Sequence, residues 1–185
     1  MMQGKVMLVR TVAAAGLVLL AAAVQPVLAA EKTITLHAIS ATGIGAEIGT
    51  VTARDTAQGL MLIPDLRQLS PPGPHGFHVH DKPDCGPGPG ADGRPAAGMA
   101  AGGHYDPRKA GAHRGPHDRS SHLGDLPPLV VNENGTATLP VLAPRLKVSN
   151  LTGRAIMVHA GGDNYSDQPA PLGGGGARIA CGVIR

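Results

Sequence analysis

Nine histidines stand against two cysteines in this chain of 185 residues, and several of them fall at spacings that can hold metal ions. His78 and His80 are separated by one residue in Gly76-Phe77-His78-Val79-His80. Side chains on a strand repeat with period two, so both imidazoles share a face, about 6.5–7 Å apart, and can converge on one ion. His104, His113, His122 and Asp125 follow at spacings of nine, nine and three. Three imidazoles and one carboxylate make a closed tetrahedral set suited to zinc. His159 ends another apolar run and can join His78 and His80. Imidazoles without thiolate or thioether suit copper(II) in tetragonal geometry. Spacing alone does not say which histidine serves which ion.

These side chains need a frame, and the frame reads as short strands. Thr33–Ile39 alternates polar and apolar residues, and Ile48–Arg54 repeats the pattern more weakly. Gly59–Ile63 is a short apolar run stopped by Pro64-Asp65, and Gly76–His80 is a further strand. Leu129–Val131 and Thr136–Leu142 flank Asn132-Glu133-Asn134-Gly135, the pattern of a hairpin. Arg154–His159 and Arg178–Ile184 are the last two strands. No segment after the leader keeps helical period for three turns. Strands at this spacing with Gly/Pro turns predict an antiparallel sandwich or barrel. Two long stretches, Asp81–Pro128 and Ala160–Ala177, lack periodicity. Such loops are uncommon in compact domains unless functional. Most of the remaining histidines lie in or beside the longer one.

Residues 1–29 read as a secretory signal and residues 30–185 as one domain. Lys5 and Arg10 precede the apolar run Val12–Val24, and Val27-Leu28-Ala29 supplies a cleavage site. The run of 13 residues would span only about 20 Å as a helix, short of the ~30 Å bilayer core. No membrane anchor is therefore expected after signal removal. The formal net charge of +3 falls to about +1 without Lys5 and Arg10, which removes the main support for nucleic-acid binding. Gly 27 and Pro 17 with three aromatics lean toward disorder, but 42% hydrophobic and only 16% charged residues oppose it. Export also favours one disulfide between Cys85 and Cys181, the only pair. Its loop of about 97 residues would contribute roughly 4–5 kcal/mol in the chain-entropy model.

The long motifs resemble the bacterial periplasmic copper/zinc superoxide dismutases. They are Gly76–His80, Gly102-Gly103-His104-Tyr105-Asp106-Pro107, His122-Leu123-Gly124-Asp125-Leu126-Pro127, Gly161–Asp167, Pro169–Gly176 and Ala180-Cys181-Gly182-Val183-Ile184. The likeness runs from about Thr33 to Ile184. It implies an all-β fold, an eight-stranded antiparallel Greek-key barrel with two long functional loops. It assigns copper to His78, His80, His104 and His159, and zinc to His104, His113, His122 and Asp125, with His104 as the bridge. Asp163 corresponds to an acid linking a copper ligand to a zinc ligand, Arg178 to the arginine that anchors the substrate anion, and Cys85–Cys181 to the family disulfide. The activity implied is conversion of superoxide to oxygen and hydrogen peroxide by alternate reduction and oxidation of copper, with a structural zinc. One copper ion and one zinc ion are expected per subunit. The expected location is the periplasm, and the expected assembly a monomer or homodimer.

Other residues carry less. His37 falls on a polar strand position, and the resemblance makes His75 structural. His117 lies between zinc candidates whose set is already complete without it. Gly173–Gly176 lacks the Lys-Ser/Thr of a phosphate loop and reads as a flexible turn. Lys82, Arg108, Lys109, Arg114 and Arg119 are either steering charges or solvated loop residues. Two other readings compete with the enzyme: a metal-buffering protein without redox turnover, and a disordered Gly/Pro-rich exported segment.

Overall fold

The computed structural model describes Met1 and residues 29–185. The leader read at residues 1–29 lies outside the described residues apart from its two ends. Alternation in the first strand extends at both ends into β1 (Glu31–Ser40), with Ile34 and Leu36 buried and Thr33 and Thr35 exposed. β2 (Gly43–Thr56) and β3 (Gly59–Leu66) follow across two-residue turns. β3 continues through Pro64, which lies opposite Val51. The expected stop fails because β9 (Val141–Ala143) pairs only with Leu60–Leu62, so Pro64 occupies an edge-like stretch where no ladder donor is required.

β5 (Phe77–His80) is the strand predicted over Gly76–His80, and β4 (Gly73–His75), which the sequence did not predict, precedes it across Gly76. β6 (Gly88–Pro89) and β7 (Pro95–Ala96) form a small ribbon inside the long loop, beside the short 3-10 turn Met99–Ala101. The chain then runs through β8 (Leu129–Val131), β9, β10 (Arg154–His159) and β11 (Arg178–Ile184). The last two strands have the bounds their sequence predicts. Among the described residues the only helices are three short 3-10 turns, and none is long and apolar enough to cross a membrane.

One sheet has the order β5-β10-β11-β1-β2-β3-β9, and a second pairs β4 with β8. The two join into a barrel at both sides. β4 bends into β5, and the end of β3 bonds the segment after β8 through Leu66 N to Ala137 O (3.1 Å) and Ala137 N to Leu66 O (2.9 Å). Counting β4 and β5 as one bent strand and setting aside the β6–β7 ribbon leaves eight strands. The predicted hairpin at Asn134-Gly135 is therefore not one. The turn exists, with Asn132 N bonded to Thr136 O at 2.7 Å, but β8 pairs with β4 while β9 crosses to β3. An Asn-Gly turn fixes a local reversal; the partner of each arm is set by tertiary packing.

The core is mostly aliphatic, with Leu36, Leu60, Leu62, Leu126, Leu129 and Ile156 all fully enclosed. Phe77 and Tyr105 join it, so two of the three aromatics serve packing as well as flanking candidate ligands. A smaller cluster of Cys85, Ala101, Ala155, Met157 and Cys181 lies apart from it. Here the Cys85–Cys181 disulfide, with Cα atoms 5.7 Å apart, fastens the long loop to β11. Replacing both cysteines by alanine should lower the unfolding free energy in urea by roughly 4–5 kcal/mol. An unchanged value would mean that the loop is held without the covalent link.

Candidate metal centre

The backbone brings the two histidine groups together along one edge of β5. β10 occupies one side of β5, with Met157 opposite His78 and Ala155 opposite His80. The long loop occupies the other: His78 bridges to Asp125 and His80 to His104. Val79 N donates to Gly124 O (2.9 Å), and Tyr105 N donates to Val79 O (2.8 Å). The approach is so close that a Cβ on Gly124 would sit 2.2 Å from Val79 O. Only glycine allows the segment carrying His122 and Asp125 to lie there.

Two groups of four side chains result, each with its potential donor atoms within 4.8 Å of one another. One holds His78, His80, His104 and His159; the other holds His104, His113, His122 and Asp125. These are the two sets that the family resemblance implies, and His104 belongs to both. His117 is in neither and is exposed. His75 is buried, with its ring nitrogens 2.6 Å from His159 O and 2.7 Å from Pro71 O, so it braces the loop behind the site. His37 is partly exposed, 3.3 Å from Gly45 O.

Hydrogen bonds at the far nitrogens fix the tautomers. His80 Nδ1–H donates to Gly102 O (2.9 Å), and His159 Nδ1–H to Gly176 O (3.2 Å). His78 Nε2–H donates to Asp163 Oδ2 (2.8 Å). In a neutral imidazole the second nitrogen is then a bare acceptor. Those nitrogens, His78 Nδ1, His80 Nε2 and His159 Nε2, together with His104 Nε2, are buried and have no hydrogen-bond partner. Buried polar atoms are rarely left so without a purpose, and four converging lone pairs fit copper. Burial, then the neighbouring His104, holds the His78 and His80 pKa values below the ordinary range and brings His159 down to about 4. Burial also lowers His104, against Asp125.

The second group is organised by carboxylates. Asp125 Oδ1 lies 2.9 Å from His104 Nδ1, 3.0 Å from His113 Nδ1 and 3.4 Å from His122 Nδ1. Ser121 Oγ donates to Asp125 Oδ2. Three nitrogens facing one carboxylate oxygen are the donor set of a tetrahedral zinc site. His113 Nε2 bonds Asp163 Oδ1 at 2.7 Å. Burial opposes charge on His113, but Asp125 and Asp163 outweigh it and raise its pKa to about 9. Burial likewise opposes charge on the two carboxylates, yet their hydrogen bonds from the histidines hold both well below the usual range.

Asp163 thus contacts one histidine from each group. It is held by Gly173, whose φ is +76° and whose Cβ, if present, would lie 2.1 Å from Asp163 Oδ1. Within the Gly173–Gly176 turn, Gly173 and Gly175 pack against Asp163 and His159, while Gly174 and Gly176 are exposed. Arg178, half-buried, donates from Nη1 to Gly98 O (2.6 Å) and from Nη2 to Gly102 O (2.8 Å). Gly102 O also receives His80, so one carbonyl aligns the guanidinium with a ring of the four-histidine group.

A sequence model of the family described as copper/zinc superoxide dismutase (SODC) matches residues 47–184. The chain is 54% identical over 158 residues to superoxide dismutase [Cu-Zn] 1 of Salmonella typhimurium, covering 84% of this chain and 88% of that one. This chain belongs to the copper/zinc superoxide dismutase family. Its fold resembles the Brucella abortus Cu/Zn superoxide dismutase, with TM-score 0.81 and 47% identity over 84% of this chain and 100% of that one. It also resembles the monomeric copper, zinc superoxide dismutase of Salmonella enterica, with TM-score 0.74, 52% identity and the same two coverages.

Several residues of this superoxide dismutase fold's site had no sequence signal. Gly98, Gly102 and Gly176 act through carbonyls, which any residue possesses. Ser121 stands four before Asp125 in a loop, where spacing carries no direction. Asp167 Oδ2 accepts from His113 N (2.9 Å) and ties the two loops together; it ends the Gly161–Asp167 motif, which does not show what it contacts.

Asp163→Ala should weaken retention of both metals by about 10- to 100-fold, read by competition with a chelator, because it frees one histidine in each group. Unchanged retention would remove Asp163 from the site. The metal-free protein should also lose stability in acid. His78, His80, His104 and His159 have folded pKa values below the unfolded value of 6.5. Below about pH 6.5 the unfolded chain therefore binds more protons, and stability falls toward pH 4, where His159 charges. His113 acts oppositely: its contribution is complete below 6.5 and lost through about 9. Urea unfolding of the metal-free protein should show greatest stability between these limits, and a maximum below pH 5 would contradict the assigned tautomers.

Proposed function

We propose that this superoxide dismutase is exported to the periplasm and converts superoxide to oxygen and hydrogen peroxide at the centre described above. In this reading His78, His80, His104 and His159 hold copper, and His104, His113, His122 and Asp125 hold zinc. The observation that carries it is His104, whose Nε2 belongs to the four-histidine group while its Nδ1 faces Asp125. One imidazole serving two donor sets with different nitrogens is what a bimetallic bridge requires.

Copper when bound supplies the one-electron redox change, and zinc, having none, supplies structure and charge. The chain's own residues bind and orient the substrate. Arg178 has five N–H donors and uses two on Gly98 and Gly102, so three remain for a small anion. Its charge is permanent and its plane is fixed by those carbonyls. His104 Nε2 is the atom placed to hold and release a proton to departing peroxide, since the ring is oriented from its other end by Asp125. His80 and His159, kept neutral by burial, do not compete for that proton.

Residues 1–29 support export, and the Cys85–Cys181 disulfide suits an oxidising compartment. Superoxide is the substrate, and the enzyme acts as a monomer or homodimer. The purified protein should contain about one copper and one zinc per chain, show cyanide-sensitive superoxide dismutation, and begin near Ala30 when recovered from the periplasm. A fully metallated protein without activity would refute the reading and favour metal buffering. Arg178→Ala should keep both metals but lower kcat/KM by about tenfold or more, the scale of losing a charged hydrogen-bond donor. Loss of metal instead would make Arg178 a folding residue.

A further inference from the structure

Three guanidinium groups outside the metal centre meet at one cavity of about 270 Å³. Its wall includes Arg108, Arg119 and Arg145, with Asp106, Ser121 and Leu123 beside them. None of the three arginines makes an ion pair among the described residues. The wall holds one carboxylate, Asp106, whose Oδ2 accepts from Gly111 N at 2.9 Å and whose Oδ1 is buried without a partner.

Arg145 is the anchor. Its Nε donates to Pro116 O (2.7 Å), Nη1 to Ser121 O (3.2 Å), and Nη2 to Gly115 O (3.2 Å) and His122 O (2.6 Å). Four of its five N–H donors are thus committed, which fixes the plane of the group and leaves one on Nη1. Burial disfavours its charge, Asp125 and Asp118 partly offset that, and Arg108 adds a smaller repulsion. Three guanidinium groups at a concave surface whose wall holds one carboxylate leave a net positive charge that attracts an anion from solution.

We infer that this cavity is a binding site for a small tetrahedral oxyanion of the phosphate class. A planar carboxylate is matched by one guanidinium, whereas a tetrahedral anion offers oxygens in several directions. Here the donors come from three separate segments, at residues 108, 119 and 145. Arg108 and Arg119 are exposed and close over the anion from solvent, while Arg145 meets it from the protein. The cavity admits a free ion or the phosphate end of a small ester. Two of its lining residues also touch the candidate zinc segment, Ser121 through Asp125 and Arg145 through His122 O.

The test uses the holoenzyme with copper reduced, which is diamagnetic, followed by ¹H–¹⁵N NMR at constant ionic strength. Inorganic phosphate is titrated in one arm and glycerol 3-phosphate in the other. Amides of Arg108, Arg119, Leu123 and Arg145 should shift and saturate. Arg108→Ala and Arg119→Ala should each weaken that response by about tenfold while leaving responses near Gly98 and Arg178 unaltered. Tighter binding of the ion assigns the site to free phosphate, and tighter binding of the ester to a phosphorylated small molecule. Linear drift without saturation, shifts confined to Gly98–Gly102 and Arg178, or unchanged affinity in both variants would overturn the inference.

Discussion

Imidazoles buried side by side must be neutral where their lone pairs converge, and each needs a partner at its other nitrogen to stay so oriented. That constraint organises the structure around the metal centre. Burial lowers the pKa values of His78, His80, His104 and His159, but burial alone does not choose a tautomer. The choice is made by acceptors: Gly102 O for His80, Gly176 O for His159 and Asp163 for His78. These acceptors lie in two different loops, so both loops must hold their positions to within a hydrogen bond. The disulfide, the glycine contacts at Gly124 and Gly173, and the bonds between β5 and residues 104–125 serve that end.

Legibility in the sequence follows from what kind of atom does the work. β10 and β11 could be read to the residue because each is a short, largely apolar run bounded by a glycine-rich turn. Pro64 misled because its effect depends on whether a third strand needs its missing N–H, and β9 does not reach it. The Asn134-Gly135 turn misled because a local reversal does not specify that its arms pair with each other. The histidines and Asp125 were legible as donors, since few other roles combine these side chains in such loops. Spacing alone did not divide them into two sets; the family resemblance implied that division with His104 as the bridge, and β5 gives it a geometric basis by placing His80 opposite His104 and His78 opposite Asp125. Gly102, Gly176 and Gly98 were invisible as functional residues because their contribution is a carbonyl oxygen.

The scarcity of large aromatics fits the same economy. Tyr105 follows His104 directly, and Arg154 stacks on its ring 3.9 Å from the centroid. That guanidinium also donates to Asp81 O at 2.7 Å, so the residue beside His104 and the loop after His80 are held by one side chain of β10. Phe77 precedes His78 and is fully buried, which seats the start of β5 in the barrel core. The aromatics are few, but two of them anchor the backbone next to a candidate ligand, where a shift would matter most.

The two donor groups differ in charge, and that difference bears on where an anion goes. The group with His113 and His122 includes the ionised Asp125, and Asp163 supports it through His113, so a cation there is largely compensated. The four-histidine group has no carboxylate among its donors. Asp163 reaches it only through the far nitrogen of His78. A cation held by those four neutral rings keeps its charge, and Arg178 adds a second positive charge through its shared carbonyl with His80. A small anion approaching this face therefore meets an uncompensated field on one side of His104 and a neutralised one on the other. The asymmetry arises from a single residue type at one position of each set, a histidine in one and an aspartate in the other. On the proposed assignment of copper to the four histidines, the asymmetry favours an anion on that side of His104, and Arg178 adds to it.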